Sequence, residues 1–203
     1  MRSDCKVCIV NYGLGNVKAF KNIYDRLNVK SEIASKREHF LNATHLILPG
    51  VGSFDWALSK LNDSGLREIL NMLVIEKKLP ILGVCVGMQI MASKSEEGVL
   101  PGLNWIEGKV IKFNNEIILP HMGWNDVKPL VDSNLFKEII NPKFYFLHSF
   151  YYETNDEKHS ISVTNYGNNF TSAINKKNIY GTQFHPEKSH ENGIKLLKNF
   201  INL

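Results

Sequence analysis

Between residues 5 and 85, short apolar runs alternate with amphipathic stretches, and that alternation leaves few architectures open. Residues 5–11 form the first run and end in Tyr12-Gly13-Leu14-Gly15-Asn16. Val17, Phe20, Ile23, Tyr24 and Leu27 follow three or four apart, which is one face of a helix. Residues 29–34 read as a second strand and His45-Leu46-Ile47-Leu48 as a third, stopped by Pro49-Gly50-Val51-Gly52. Helical spacing returns over 54–61 and 66–77. Pro80-Ile81-Leu82-Gly83-Val84 is then a fourth strand, turning at Cys85 into a short helix. Strands separated by helices in this order pair in parallel through right-handed crossovers.

Beyond residue 100 the spacing tightens. Strands are expected at 105–113, 116–119, 123–127, 143–148, 159–165, 170–174 and 178–184. Asn114-Asn115 and Tyr166-Gly167-Asn168-Asn169 are turn sequences between them, so hairpins are expected. A last helix, about 190–202, buries Ile194, Leu197 and Ile201. The 203 residues contain no linker, repeat or low-complexity tract. The expectation is one α/β domain over 1–203, with a mixed, largely parallel central sheet and helices on both faces.

Composition removes several classes. Hydrophobic residues make up 43% and charged residues 22%, as in ordinary globular chains. No window approaches the roughly 18–20 uninterrupted apolar residues of a membrane span. The first residues run straight into a strand without the apolar stretch of a secretory leader, so a cytoplasmic protein is expected. The net charge of +4 is carried by scattered lysines, which suits a solvated surface better than a nucleic-acid groove. Cys5 and Cys8 have C-x-x-C spacing, but in a strand residues three apart face opposite sides. They can neither pair nor chelate together, and no second pair completes a zinc site. Neither a metal nor a cofactor is expected.

Cys85 differs. Gly83-Val84-Cys85-Val86-Gly87 has the form G-x-C-x-G at a strand-to-helix junction, the thiol version of a nucleophile elbow. The glycines permit a tight bend, the helix N-terminus favours thiolate, and the Val86 N–H would face an oxyanion. The plain alternative is a buried cysteine in a glycine-rich turn. A nucleophilic cysteine needs a base, and His185 in Phe184-His185-Pro186-Glu187 stands at the end of a strand. In extended chain, residues i and i+2 share a side, so Glu187 would reach one ring nitrogen and turn the other to Cys85. Pro186 ends pairing there and leaves the segment at the sheet rim. The alternative is an exposed loop histidine. Leu48-Pro49-Gly50-Val51-Gly52 is weak as a phosphate loop, because no G-x-x-x-x-G-K-[ST] pattern follows, but it suits a second oxyanion donor. Gly13-Leu14-Gly15 lacks a third glycine and reads as a turn before a helix.

Gly83 to Gln89, with His185-Pro186-Glu187, resembles the class I (triad) glutamine amidotransferases. Leu48-Pro49-Gly50-Val51-Gly52, Pro120-His121-Met122-Gly123-Trp124-Asn125 and His185-Pro186-Glu187-Lys188-Ser189 are similar to the glutaminase subunits of imidazole glycerol phosphate synthases, enzymes of histidine biosynthesis. The resemblance implies a flavodoxin-like fold and glutamine as substrate. It makes Cys85 the nucleophile, His185 the general base and acid, and Glu187 its orienting partner. It assigns the oxyanion hole to Val51 and Val86, with the Val51 peptide turning to complete it. Gly50, Gly52, Gln89, Glu97 and the strip His148-Ser149-Phe150 would bind glutamine. Trp124, Tyr145 and Lys188 would face a partner, a (β/α)8-barrel cyclase that receives ammonia.

The chain departs from the usual pattern at several positions. Val86 stands where leucine is usual, Phe150 where tyrosine is common and Asn11 where aspartate is frequent; Ala92-Ser93-Lys94 replaces a Phe-Glu-Arg-like stretch. No catalytic group is lost. These departures motivate a rival, a paralogue feeding ammonia to a sugar-amidating synthase. Two further rivals are a non-catalytic regulatory scaffold and a free-standing cysteine hydrolase.

Overall fold

The computed structural model describes residues 5–113 and 117–203. Asn114 and Asn115, read as a hairpin turn, lie outside the described residues. The elements run β1 (Lys6–Val10), α1 (Val17–Arg26), β2 (Lys30–Ala34), β3 (His45–Gly50), α2 (Phe54–Asp63), α3 (Leu66–Asn71), β4 (Ile81–Cys85) and α4 (Val86–Gln89). Then come β5 (Lys94–Ser95), β6 (Gly108–Lys112), β7 (His121–Asp126), β8 (Lys128–Pro129), β9 (Lys143–His148) and β10 (Phe150–Thr154). The chain closes with β11 (Ser160–Tyr166), β12 (Asn168–Lys176), β13 (Ile179–Thr182) and α5 (His190–Phe200).

The main sheet has the order β2-β1-β3-β4-β13-β12-β10-β6-β5. From β2 to β13 all neighbours are parallel, and beyond β13 the pairing turns antiparallel as far as β6. This is the mixed α/β sheet expected. The central parallel strands are apolar without alternation, because helices cover both of their faces. β3 and β4 are buried along their whole length. Asn16 starts α1 by accepting the Ala19 N–H at 3.2 Å, and the buried Phe20, Ile23 and Tyr24 form its inner face. Among the described residues, no helix is long and apolar enough to cross a membrane.

Several expectations need correction. The helix read over 66–77 is α3 followed by a π-helical segment, Met72–Glu76. The strand read over 105–113 begins only at Gly108. The preceding residues plug the core as a loop, where the Leu103 and Trp105 N–H groups bond Ile90 and Met91 carbonyls and the Trp105 indole bonds Asn71. Residues 117–119 form no strand; Ile118 is exposed and its carbonyl accepts the Tyr166 hydroxyl instead of a ladder partner. β7 and β9 leave the main sheet and pair with each other as a two-stranded ribbon. The two-residue strands β5 and β8 are too short to carry a periodic signal.

Cys5 and Cys8 part company as expected. The Cys5 sulfur sits 3.6 Å from His45 Nδ1, whereas Cys8 Sγ meets the His39 carbonyl at 3.3 Å.

Candidate active site

In parallel α/β sheets, ligands collect at the carboxyl ends of the strands. Here β3, β4 and β13 end side by side, with Gly50 level with Cys85 and Thr182 level with Val84. Cys85 has φ 55° and ψ −116°, a backbone conformation costly for any side chain. The surrounding packing enforces it. A Cβ on Gly87 would fall inside the radius of the Leu48 carbonyl oxygen, so this turn can close on β3 only with glycine. Gly50 is fitted the same way from the other side: its own Cβ would stand 2.9 Å from the Val86 carbonyl carbon. Gly50 thus lies behind the pocket wall, as a support for the elbow.

The histidine arm is built by the ribbon. The His185 N–H donates to the Tyr145 carbonyl at 2.9 Å, an isolated bridge to β9. The buried Ser189 hydroxyl donates to the His185 carbonyl at 2.6 Å and accepts the Tyr145 N–H at 3.0 Å. Glu187 Oε1 meets His185 Nδ1 at 2.8 Å, as the sequence suggested. The geometry differs from the extended chain expected, because Pro186–Lys188 is a 3-10 turn that swings the carboxylate back onto the ring. Burial disfavours a charged imidazole, but Cys85 and then Glu187 outweigh it, and His185 is raised to about 10. The Cys85 sulfur itself meets the Leu147 carbonyl at 3.8 Å. With Nδ1 occupied by Glu187, Nε2 is left for the sulfur.

Val51, Gly52, Cys85, Val86, Gln89, Glu97, His148, Ser149, Phe150, His185 and Lys188 come together around one pocket of about 260 Å³. Pro120 and Leu147, not anticipated, complete its lining. Glu97 is fixed by a reciprocal arrangement with α2. Its Oε2 accepts the Phe54 N–H at 2.8 Å, while Asp55 accepts the Val99 and Leu100 N–H groups at 2.9 and 3.1 Å. Ser53 makes no side-chain cap, so Glu97 supplies the acceptor this helix start needs. Burial raises Glu97 first, the Phe54 bond lowers it and the nearby Asp55 raises it, with a net rise.

Trp124 and Tyr145 stand beside the pocket, outside its lining. Trp124 is 43% exposed, meets Tyr145 edge-on at 6.3 Å and stacks on His190 at 5.1 Å. Lys188 reaches both places: it lines the pocket and lies 5.6 Å over the Tyr145 ring.

Sequence reasoning missed Gln183. It is fully buried, donates to Cys85 Sγ at 3.8 Å and accepts from Gln89 Nε2 at 3.0 Å. A glutamine two residues before His185, at the end of a strand of the central sheet, was the available signal.

The sequence model described as Glutamine amidotransferase class-I matches residues 8–203. Imidazole glycerol phosphate synthase subunit HisH of Bdellovibrio bacteriovorus is 53% identical over 198 residues, covering 95% of this chain and 97% of the relative. The chain belongs to the class I glutamine amidotransferases. HisH of Leptospira interrogans is 50% identical, covering 96% and 98%, and HisH 2 of Methanococcus maripaludis is 47% identical, with the same coverage. The crystal structure of a glutamine amidotransferase superimposes with a TM-score of 0.74 at 18% identity, over 97% of each chain, which supports the amidotransferase fold alone.

Proposed function

We propose that this chain hydrolyses glutamine to glutamate and ammonia as the glutaminase subunit of an imidazole glycerol phosphate synthase. The observation that carries the proposal is the constellation of a strained Cys85, a buried His185 and a Glu187 bound to it, opening on one pocket. The Cys85 thiolate adds to the side-chain carbonyl carbon of glutamine, and the oxyanion is held by the N–H groups of Val51 and Val86. His185 gives its Nε2 proton to the leaving nitrogen, which departs as ammonia and leaves a thioester. The neutral imidazole then takes a proton from water, hydroxide attacks the thioester carbon, and glutamate leaves as the thiol is restored.

Recognition of glutamine follows from pocket chemistry. Glu97 suits the α-ammonium group; Gln89, Gly52 and the strip His148-Ser149-Phe150 supply polar and backbone contacts. Gly50 contributes by holding the elbow in place. The exposed Trp124, with Tyr145 and Lys188, is assigned to docking of a (β/α)8-barrel cyclase that consumes the ammonia in forming imidazole glycerol phosphate and AICAR. The domain is assigned to residues 1–203. A cytoplasmic setting fits the chemistry, since a nucleophilic thiol has to stay reduced.

The test is glutamine hydrolysis by the chain with its synthase subunit and that subunit's substrate. Wild type should turn over and Cys85→Ala should not; equal rates in the two would end the reading. A second reading, ammonia supply to a sugar-amidating synthase, is favoured by Val86, Phe150 and Ala92-Ser93-Lys94 in place of the usual residues. Growth of a histidine auxotroph lacking its own glutaminase subunit separates the two: rescue supports the first reading and failure the second.

A further inference from the structure

The Phe150 carbonyl is a junction. It accepts Gln89 Nε2 at 2.9 Å from one side and His148 Nδ1 at 2.9 Å from the other. A carbonyl only accepts, so Nδ1 of His148 carries the hydrogen and Nε2 of the neutral ring is bare. That bare nitrogen lies 2.9 Å from His121 Nδ1, which must then be the donor. His121 Nε2, bare in its turn, accepts from Asn125 Nδ2 at 3.1 Å. The Asn125 amide cannot be reversed, because Nδ2 also donates to the Asn165 carbonyl and Oδ1 accepts the Asp126 N–H. The direction of every bond from Asn125 to Phe150 is therefore set.

Packing alone does not ask for a nitrogen here. The His121 ring is stacked between Phe146 at 4.7 Å and Tyr166 at 4.0 Å, a slot an aromatic hydrocarbon would fill. His121 does not line the pocket, yet His148 and Phe150 both do.

We propose that His121 is a positioning residue for the glutamine pocket: its Nδ1–H holds His148 in the Nδ1–H tautomer, which fixes the Phe150 carbonyl and the wall around it. The use of this pocket for glutamine rests on the function proposed above; the tautomer chain does not. Both rings are held neutral: burial lowers His148 to about 3, where His121 and His185 add to the fall, and lowers His121 to about 4. A neutral His148 also spares the pocket a second positive charge beside His185.

The experiment compares His121→Phe and His121→Asn with wild type in the assembled synthase. Phenylalanine keeps the stacking and removes the donor; asparagine puts an amide N–H at the position of Nδ1. Leaving a buried acceptor unpaired should raise KM for glutamine about tenfold or more in His121→Phe, with kcat changed less. Asparagine should restore most of the loss. An unchanged KM in His121→Phe, or asparagine as impaired as phenylalanine, overturns the proposal. Nitrogen-15 spectra of the histidines in the wild-type chain test the relay without any variant. They should show His148 protonated at Nδ1 and bare at Nε2, and the opposite tautomer overturns it. A wild-type complex inert towards glutamine would instead refute the functional reading, and the tautomer pattern would then decide the relay.

Discussion

Glu187 accepts from Nδ1 of His185 at 2.8 Å, and both side chains are only 3% exposed. A carboxylate so placed fixes the tautomer of the imidazole and stabilises its charge, and it leaves Nε2 as the nitrogen for the proposed proton transfer. Glu187→Gln keeps the size and loses the charge. Glutamine hydrolysis in the assembled synthase should fall on the order of a hundredfold or more, with the fold retained by circular dichroism. A variant within a few-fold of wild type would remove Glu187 from the catalytic group.

Glu97 caps α2, and different substitutions separate that contact from its proposed part in binding glutamine. Glu97→Gln retains an oxygen for the Phe54 N–H but loses the charge proposed to face the substrate ammonium. KM for glutamine should rise by about tenfold to a hundredfold, the worth of a charge-assisted hydrogen bond, with little change in stability. Glu97→Ala should show the same KM effect and also lose about 1 kcal/mol of stability, because the start of α2 is uncapped. Steady-state kinetics and urea unfolding of the pair check both statements. Equal stability of the two variants would show that the Phe54 bond contributes nothing.

The parallel half of the fold was legible because fully apolar runs and helix-spaced faces are local signals. The elbow was legible because Gly83 and Gly87 flank Cys85 at a strand-to-helix junction and His185-Pro186-Glu187 supplies a base to go with it. The ribbon of β7 and β9 was not, since leaving the main sheet is decided by distant pairing with His185. The strand read into residues 105–107 failed because Trp105 and Ile106 serve as a core plug, and apolar residues in a loop look like a strand. Glu187 was placed correctly against His185 on an extended-chain argument, although the chain turns there. Gln183 and His121 act through other side chains, and such roles leave little trace in local sequence.

Gly87 is the tightest point of the elbow. Its missing Cβ is what lets the Leu48 carbonyl of β3 lie against the start of α4. Gly87→Ala forces backbone apart rather than a flexible side chain, so relaxation is limited. Stability should drop by about 1–3 kcal/mol, the usual range for overpacking in a well-packed core, read as a lower urea midpoint. Glutamine hydrolysis should fall as well, since the same displacement moves Val86 away from the position proposed for the oxyanion. A fully active Gly87→Ala of wild-type stability would mean that β3 yields at no cost.

The buried histidines predict a particular acid response. His148 is lowered from 6.5 to about 3 and His121 from 6.5 to about 4, in both cases foremost by burial. Their folded values are depressed, so their contribution to stability is fully present above the unfolded value of 6.5. It is lost as the pH falls towards the folded values, because the unfolded chain takes up protons that the native state refuses. Over that interval each ring contributes a slope of up to about 1.4 kcal/mol per pH unit. Carboxylates add slopes of their own in acid, so the informative quantity is a difference between chains. In urea unfolding, His121→Phe should be less steep than wild type by about half a proton near pH 6.5, rising towards one proton near pH 5. Parallel curves would mean that His121 binds its proton as readily folded as unfolded, and the neutral Asn125–His121–His148 chain would not exist in solution.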